Sequence, residues 1–291
     1  MPKFSFAGHQ SFHCRNLWLN KGFDFISQGK KFSDEDAVVD LGVGKNMVSS
    51  ISYWINSFGF TQGKKELSKI AKFLFGENGV DPYLEDIASL WLLHYQIITE
   101  NKASIFNLFF NEFRKQQIEF TKNQLFSFLQ RKCAEADLIV SPNTLKRDIP
   151  VFLRTYEQPF KSNKNLEEIY SGLLIELDLI EKIKKYTGDE HLWYKIENRE
   201  RENLPVEVLL YSILENPLYK NSDSISFEQL FYDQNSPGNI FALTSKGLLN
   251  KIDEMTNRYK GIVFMDDSGI RELQFIKKPD VWNELKRYYE K

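Results

Sequence analysis

Cysteine is nearly absent: 291 residues hold two, Cys14 and Cys133. Two thiols cannot build a disulfide framework, so the fold rests on a buried core, and the expectation is a chain kept in a reducing cytosol. Proline and glycine are sparse as well, at 9 and 15, which excludes a collagen-like or low-complexity protein. Long apolar runs are missing. The longest resemble Leu90-Trp91-Leu92-Leu93, far short of the ~20 residues that cross a bilayer. The opening Met1-Pro2-Lys3-Phe4-Ser5-Phe6 lacks the apolar stretch of a secretory signal. An excess of one charge is lacking too: 38 Lys and Arg against 40 Asp and Glu give −2, which excludes a globally basic nucleic-acid binder. Apolar and aromatic material is plentiful, with 42% hydrophobic residues and 24 phenylalanines. That supply excludes wholesale disorder, and the length suits about two domains.

The charge is unevenly laid out. Met1–Phe23 carries Lys3, Arg15 and Lys21 and no acid. Leu41–Lys72 holds five lysines against Glu66, and Ser141–Lys164 holds five cations against Asp148 and Glu157. The surplus acid lies elsewhere, for example at Glu167, Glu168, Glu176, Asp178 and Glu181. Such separation builds local positive faces on a neutral protein.

Apolar residues recur at three- and four-residue spacing over Leu84–Thr99, Ile105–Gln117, Lys122–Ala136, Leu145–Tyr156, Asn165–Leu177, Val206–Leu214 and Val281–Tyr289, which predicts helices. Two β-prone runs, Gly261–Met265 and Ile270–Ile276, flank Asp266-Asp267-Ser268-Gly269 and predict a hairpin. Polar linkers are expected at Gln158–Asn165 and Gly188–Asn203. The predicted fold is mainly α, with helix-turn-helix and winged-helix-like subdomains and a small C-terminal β-hairpin. The predicted domains are 1–100 with a first helix-turn-helix, 101–160 with a second, and a winged-helix-like 161–291.

The first helix-turn-helix joins a short helix over Ser33–Val39, a glycine-containing turn over Asp40–Gly44, and a helix over Lys45–Phe58. Val48, Ile51, Ile55 and Phe58 have the spacing that anchors the second helix on the first. Lys45, Asn46, Ser49, Ser50 and Ser52 are then expected outside, where a recognition helix meets phosphates and bases. The second unit follows Lys122–Ala136 with a turn and Ser141–Ile149. There Leu145, Ile149, Phe152 and Leu153 anchor, while Asn143, Thr144, Lys146 and Arg147 point out. A third candidate runs from Val206 through Leu243–Leu249 to the hairpin, whose Asp266 and Asp267 suit a protein partner better than DNA. Gly42 and Gly44 lack the spacing and the preceding strand of a phosphate loop, so nucleotide binding there is rejected.

Catalytic groupings are thin. His9 and His13 are four apart, but no third metal ligand stands nearby. His9 pins the N-terminal segment on one reading and is the candidate proton-transfer residue on the other. Asp81, Glu85 and Asp86 can be read as Mg²⁺ ligands of a nuclease or as acids at a helix start. His94 and Cys133 read as core.

Phe6-Ala7-Gly8-His9-Gln10-Ser11-Phe12, then Arg15 and Trp18-Leu19-Asn20-Lys21-Gly22, resembles the opening of a bacterial domain-of-unknown-function family. The likeness continues at Leu41–Val48 with Trp54, at Tyr83–Asp86, at Leu90–His94, at Ser141–Asp148 and at Thr155-Tyr156. That family is associated with DNA phosphorothioation and anti-phage gene clusters, including the Ssp type. The resemblance implies duplex DNA and other subunits of such a system as partners, with DNA nicking as an alternative activity. Two functions stand: a helix-turn-helix DNA-binding component whose partners do the chemistry, or a Mg²⁺-dependent nicking endonuclease. A protein-interaction scaffold is a third. The residues expected to meet DNA are Arg15, Lys21, Lys45, Asn46, Ser49, Ser50, Asn143, Thr144, Lys146 and Arg147.

Overall fold

Helices dominate, as the spacing of apolar side chains requires, and short antiparallel sheets lie between them. The computed structural model describes residues 4–62, 66–157, 172–183, 192–267 and 269–291. The chain divides into two units, Met1–Ile196 and Glu197–Lys291.

In the first unit an irregular N-terminal segment leads into α1 (Trp18–Ser27), α2 (Ala37–Leu41) and α3 (Lys45–Ser57). Gly42 closes α2 at φ 63 with open space around it, so its role is the left-handed turn itself. Gly22 has a different role. A Cβ there would stand 2.6 Å from Cγ1 of Ile55, so this glycine lets α1 press against α3. Gly22→Ala is expected to destabilise the protein by about 1–3 kcal/mol, because overpacking must push the isoleucine out of place. A urea midpoint equal to the parent's would contradict that packing.

A two-stranded hairpin, β1 (Thr61–Gln62) and β2 (Glu66–Leu67), follows α3 and is succeeded by α4 (Lys69–Phe75). Next comes α5 (Ile87–Thr99), buried from Ala88 through Ile98. The helix expected over 105–117 is broken into α6 (Ser104–Leu108), a π-helical turn (Phe109–Phe113) and α7 (Arg114–Gln116). The wider turn lets Phe109, Phe110 and Phe113 all enter the core. Phe109 there meets Phe120 and Phe152, with ring centroids 5.3 and 4.7 Å away.

The unit closes with β3 (Glu119–Thr121), α8 (Lys122–Glu135), α9 (Pro142–Tyr156), β4 (Glu181–Ile183) and β5 (Trp193–Lys195), in sheet order β3-β5-β4. Strand β5 overturns part of the linker expected at 188–203. Tyr194 is fully buried and stacks on Phe120 at 5.6 Å, an aromatic contact outweighed in the sequence by the polar residues before it. Of the helix expected over 165–177, residues 172–177 are described and end in a 3₁₀ turn, Ile175–Leu177. The remainder, and the linker expected over 158–165, lie outside the described residues.

The second unit runs α10 (Val206–Leu214), β6 (Ser224–Ser226), α11 (Phe227–Tyr232), α12 (Pro237–Ile240), α13 (Ser245–Arg258), β7 (Ile262–Asp267), β8 (Ile270–Phe275) and α14 (Val281–Tyr289). The predicted hairpin is β7–β8, within sheet order β6-β8-β7. One arrangement is thus built twice. A three-residue strand enters a helix through a capping box, Thr121 with Gln124 and Ser226 with Gln229. Further helix follows, then two strands, the last of which takes the middle of the sheet.

Buried phenols give the fold an alkaline limit. Burial raises the hydroxyls of Tyr53, Tyr156 and Tyr194, and lifts Tyr259 to about 12 with help from Glu207 and Glu284. The unfolded chain releases these protons near pH ~10. The folded chain holds them longer, so this stability is complete below pH ~10 and is lost as pH rises through the folded values. Circular dichroism in a stepped alkaline titration is expected to show unfolding above pH ~10; unchanged stability to pH ~12 would contradict it.

Candidate nucleic-acid interface

The N-terminal segment ties the two predicted helix-turn-helix units together. Asp148 on α9 is only 3% exposed, and its two oxygens accept the Ala7 backbone N–H at 3.1 and 3.0 Å. His9, 4% exposed, places Nε2 at 2.9 Å from Asp148 Oδ1. The Ser11 N–H donates to His9 Nδ1 at 3.1 Å, so the ring proton sits on Nε2 and points at the carboxylate. On the other side, Ser50 Oγ of α3 donates to the His9 carbonyl at 2.8 Å, and Trp54 Nε1 donates to the Phe12 carbonyl at 3.1 Å. The His9 ring also stacks on Trp54 at 6.2 Å. Ser5 and Ser104 exchange two further bonds, at 2.9 and 3.0 Å.

The backbone of this strap is unusual. Ala7, Gln10 and Ser11 adopt φ of 66, 48 and 66, and Gly8 adopts 101. Non-glycine residues in that region cost about 1–3 kcal/mol each, and they persist because the bonds around them leave no alternative. Gly8 is confined further, since a Cβ would meet the Tyr53 ring at 2.5 Å.

Around this strap the expected contact residues fall into place unequally. Lys45, Asn46 and Ser49 are exposed at the start of α3. Asn143, Lys146 and Arg147 are exposed at the start of α9, and Thr144 is half-buried. Arg15 is exposed with its guanidinium 5.4 Å from the centre of the Trp18 ring, and Lys21 is exposed on α1. Ser50 departs from expectation. It is fully buried and binds the strap rather than facing outward, because the position falls on the same side of α3 as Ile51 and Trp54. Ser52 is half-buried. The anchors Leu145, Ile149, Phe152 and Leu153 are all buried. Asp148 was not among the expected site residues. Its signal lay in the spacing Leu145, Asp148, Ile149, Phe152, which sets an acid in the apolar stripe and calls for a buried partner.

Lys45, Lys146, Arg147 and Lys21 form no ion pair among the described residues, whereas the cations of α13 do. Lys246 reaches Glu200 at 2.7 Å, Lys251 reaches Glu254 at 3.4 Å, and Arg258 pairs with Glu207 and Glu254. Asp266 on the hairpin is taken up by Arg271 at 3.2 Å.

The catalytic candidates are engaged elsewhere. Both nitrogens of His9 are in hydrogen bonds, Nε2 with Asp148 and Nδ1 with the Ser11 N–H. His94 meets the Tyr156 hydroxyl at 2.9 Å inside the core, and Cys133 is buried. Asp81 accepts the Glu85 and Asp86 N–H groups at 2.9 and 3.0 Å and the Ser89 hydroxyl at 2.5 Å. Asp86 caps α5 through the Ala88 N–H. These acids build a helix start.

The family described as Protein of unknown function (DUF4007) matches residues 6–289. Two solved structures are similar over 98% of this chain and 88% of theirs, at 26% identity and a TM-score of 0.84: the crystal structure of SspB and the crystal structure of magnesium ion-bound SspB. No curated protein matches the sequence. The magnesium belongs to that neighbour; among the described residues of this chain no group of three or more His, Cys, Asp or Glu is placed to hold a metal ion. With the match running through nearly the whole sequence, the chain belongs to the DUF4007 family.

Proposed function

We propose that this chain is a DNA-binding component of a DNA phosphorothioation and phage-defence system, in which other subunits carry the chemistry. One observation carries the reading: two helix starts with exposed cations that form no ion pair among the described residues, Lys45 on α3 and Lys146 and Arg147 on α9, are held by one N-terminal strap through the buried His9 and Asp148. Both helices begin without a side-chain cap, which leaves the Lys45 and Asn46 N–H groups of α3 and the Asn143 N–H group of α9, whose first residue is Pro142, for phosphate oxygens. The likeness to SspB supports the defence setting. The strand–helix–strand block of the second unit, with its last strand central, supports the winged-helix-like reading of that part of the chain. In the second unit the ion-paired α13 and acidic hairpin suit a protein partner, so that unit docks to another subunit of the system.

Removing one phosphate contact tests the assignment of α3. Lys45→Ala is expected to weaken duplex binding and to shrink the slope of log affinity against log salt by about one unit. Stability is expected to stay within about 0.5 kcal/mol, since the side chain is exposed. An unchanged affinity and slope would remove α3 from the interface.

A second reading draws on the magnesium ion in one SspB structure: nicking of DNA by the chain itself. Chelator-sensitive conversion of supercoiled plasmid to open circle by the pure protein with Mg²⁺ is its test. Absence of conversion would leave binding as the activity.

A further inference from the structure

A cleft of about 500 Å³ opens between the loop after α1 and α3. Lys31 and Phe32 line it from the loop; Ser49, Ser52, Tyr53 and Asn56 line it from α3. The volume falls within the ~300–1,000 Å³ of small-molecule sites, and the lining is chemically specific. Phe32 is held against Phe25 at 5.0 Å, and Tyr53 packs on the His9 ring at 5.7 Å, so the two aromatic walls are fixed. Lys30, also at the cleft, spends its charge on Asp40 at 2.9 Å. Lys31 is exposed and has no ion pair among the described residues, which leaves one cation for a ligand. Asn56 offers an amide donor and acceptor with no side-chain partner among the described residues.

Two rings, one amide, hydroxyls and a single ammonium are the groups that recognise a nucleotide. A base stacks on aromatic side chains whatever its identity, its edge pairs with an amide, and its phosphate takes the cation. An apolar ligand would make use of neither the amide nor the ammonium. Ser49 also belongs to the exposed set on α3, so the cleft adjoins the face assigned to DNA. We propose that this cleft receives one deoxynucleotide, and that on DNA the nucleotide is extruded from the duplex beside α3. The second clause rests on the DNA-binding reading; the first does not. Extrusion costs unstacking energy, which is smallest where a base is already unpaired.

The test compares a fully paired duplex, the same duplex with a single-nucleotide bulge, and free deoxynucleoside 5′-monophosphates. The variant is Asn56→Leu, an exposed position outside the residues assigned to the duplex face. The parent is expected to prefer the bulged duplex on the order of tenfold, and Asn56→Leu to lose that preference while keeping its affinity for paired DNA. Equal binding of both duplexes, or a preference that survives in the variant, would overturn the proposal. Binding of free mononucleotides that Asn56→Leu abolishes, with no affinity for any duplex, would uphold the cleft as a nucleotide site and sink the DNA-binding reading instead. No binding of any of the three would overturn both.

Discussion

Asp148→Ala is expected to destabilise the protein by about 3–5 kcal/mol, the largest effect of any single change proposed for it. The carboxylate is buried and serves two donors at once, the His9 Nε2–H and the Ala7 N–H. Alanine leaves the buried His9 Nε2–H without its acceptor and takes the acceptor from the half-buried Ala7 N–H as well. It also releases a segment in which Ala7, Gln10 and Ser11 sit at positive φ, so the strain those bonds held in place is free to relax. Asp148→Asn keeps the volume but can present a carbonyl oxygen to only one donor, while its NH₂ faces the other. Its cost is expected to lie between those of the parent and the alanine variant. Urea unfolding followed by tryptophan emission reads both, with Trp54 beside the strap as a natural reporter. A loss below about 1 kcal/mol in Asp148→Ala would mean that the strap does not hold the unit together.

The second large effect concerns binding with the fold intact. Lys146→Glu with Arg147→Glu replaces two exposed cations by two acids at the start of α9. Neither side chain takes part in an ion pair among the described residues, and the buried face of α9 is untouched. Affinity for duplex DNA at low salt is therefore expected to fall by 10²-fold or more, from two lost phosphate contacts and added repulsion. The urea midpoint should stay close to the parent's. A double variant that binds like the parent would make this turn–helix purely structural.

These expectations were only partly legible in the sequence. Val206–Leu214 and Val281–Tyr289 are helices over the very residues whose apolar spacing predicts them. The hairpin flanking Asp266–Gly269 is where its turn residues put it, apart from residue ends. Three-residue strands such as Glu119–Thr121 and Trp193–Lys195 carry too few residues for alternation to register; long-range pairing makes them. The π turn at Phe109–Phe113 answers to crowding among rings from distant segments, which local periodicity does not contain. Ser50 and Asp148 show the same limit at the candidate interface. Each is a polar residue on a buried helix face, and what satisfies it is a segment 41 or 139 residues away, His9. The exposed residues were easier, because Lys45, Asn46, Lys146 and Arg147 lie opposite clear apolar stripes.

Affinity for a random-sequence duplex at ~50 and ~200 mM salt is the most direct test of the central claim, that α3 and α9 present one DNA-contacting surface. With Arg15, Lys45, Lys146 and Arg147 each on a phosphate, log affinity should fall against log salt with a slope of about −3 to −4. Duplex binding absent even at low salt, or a slope near zero, would contradict it.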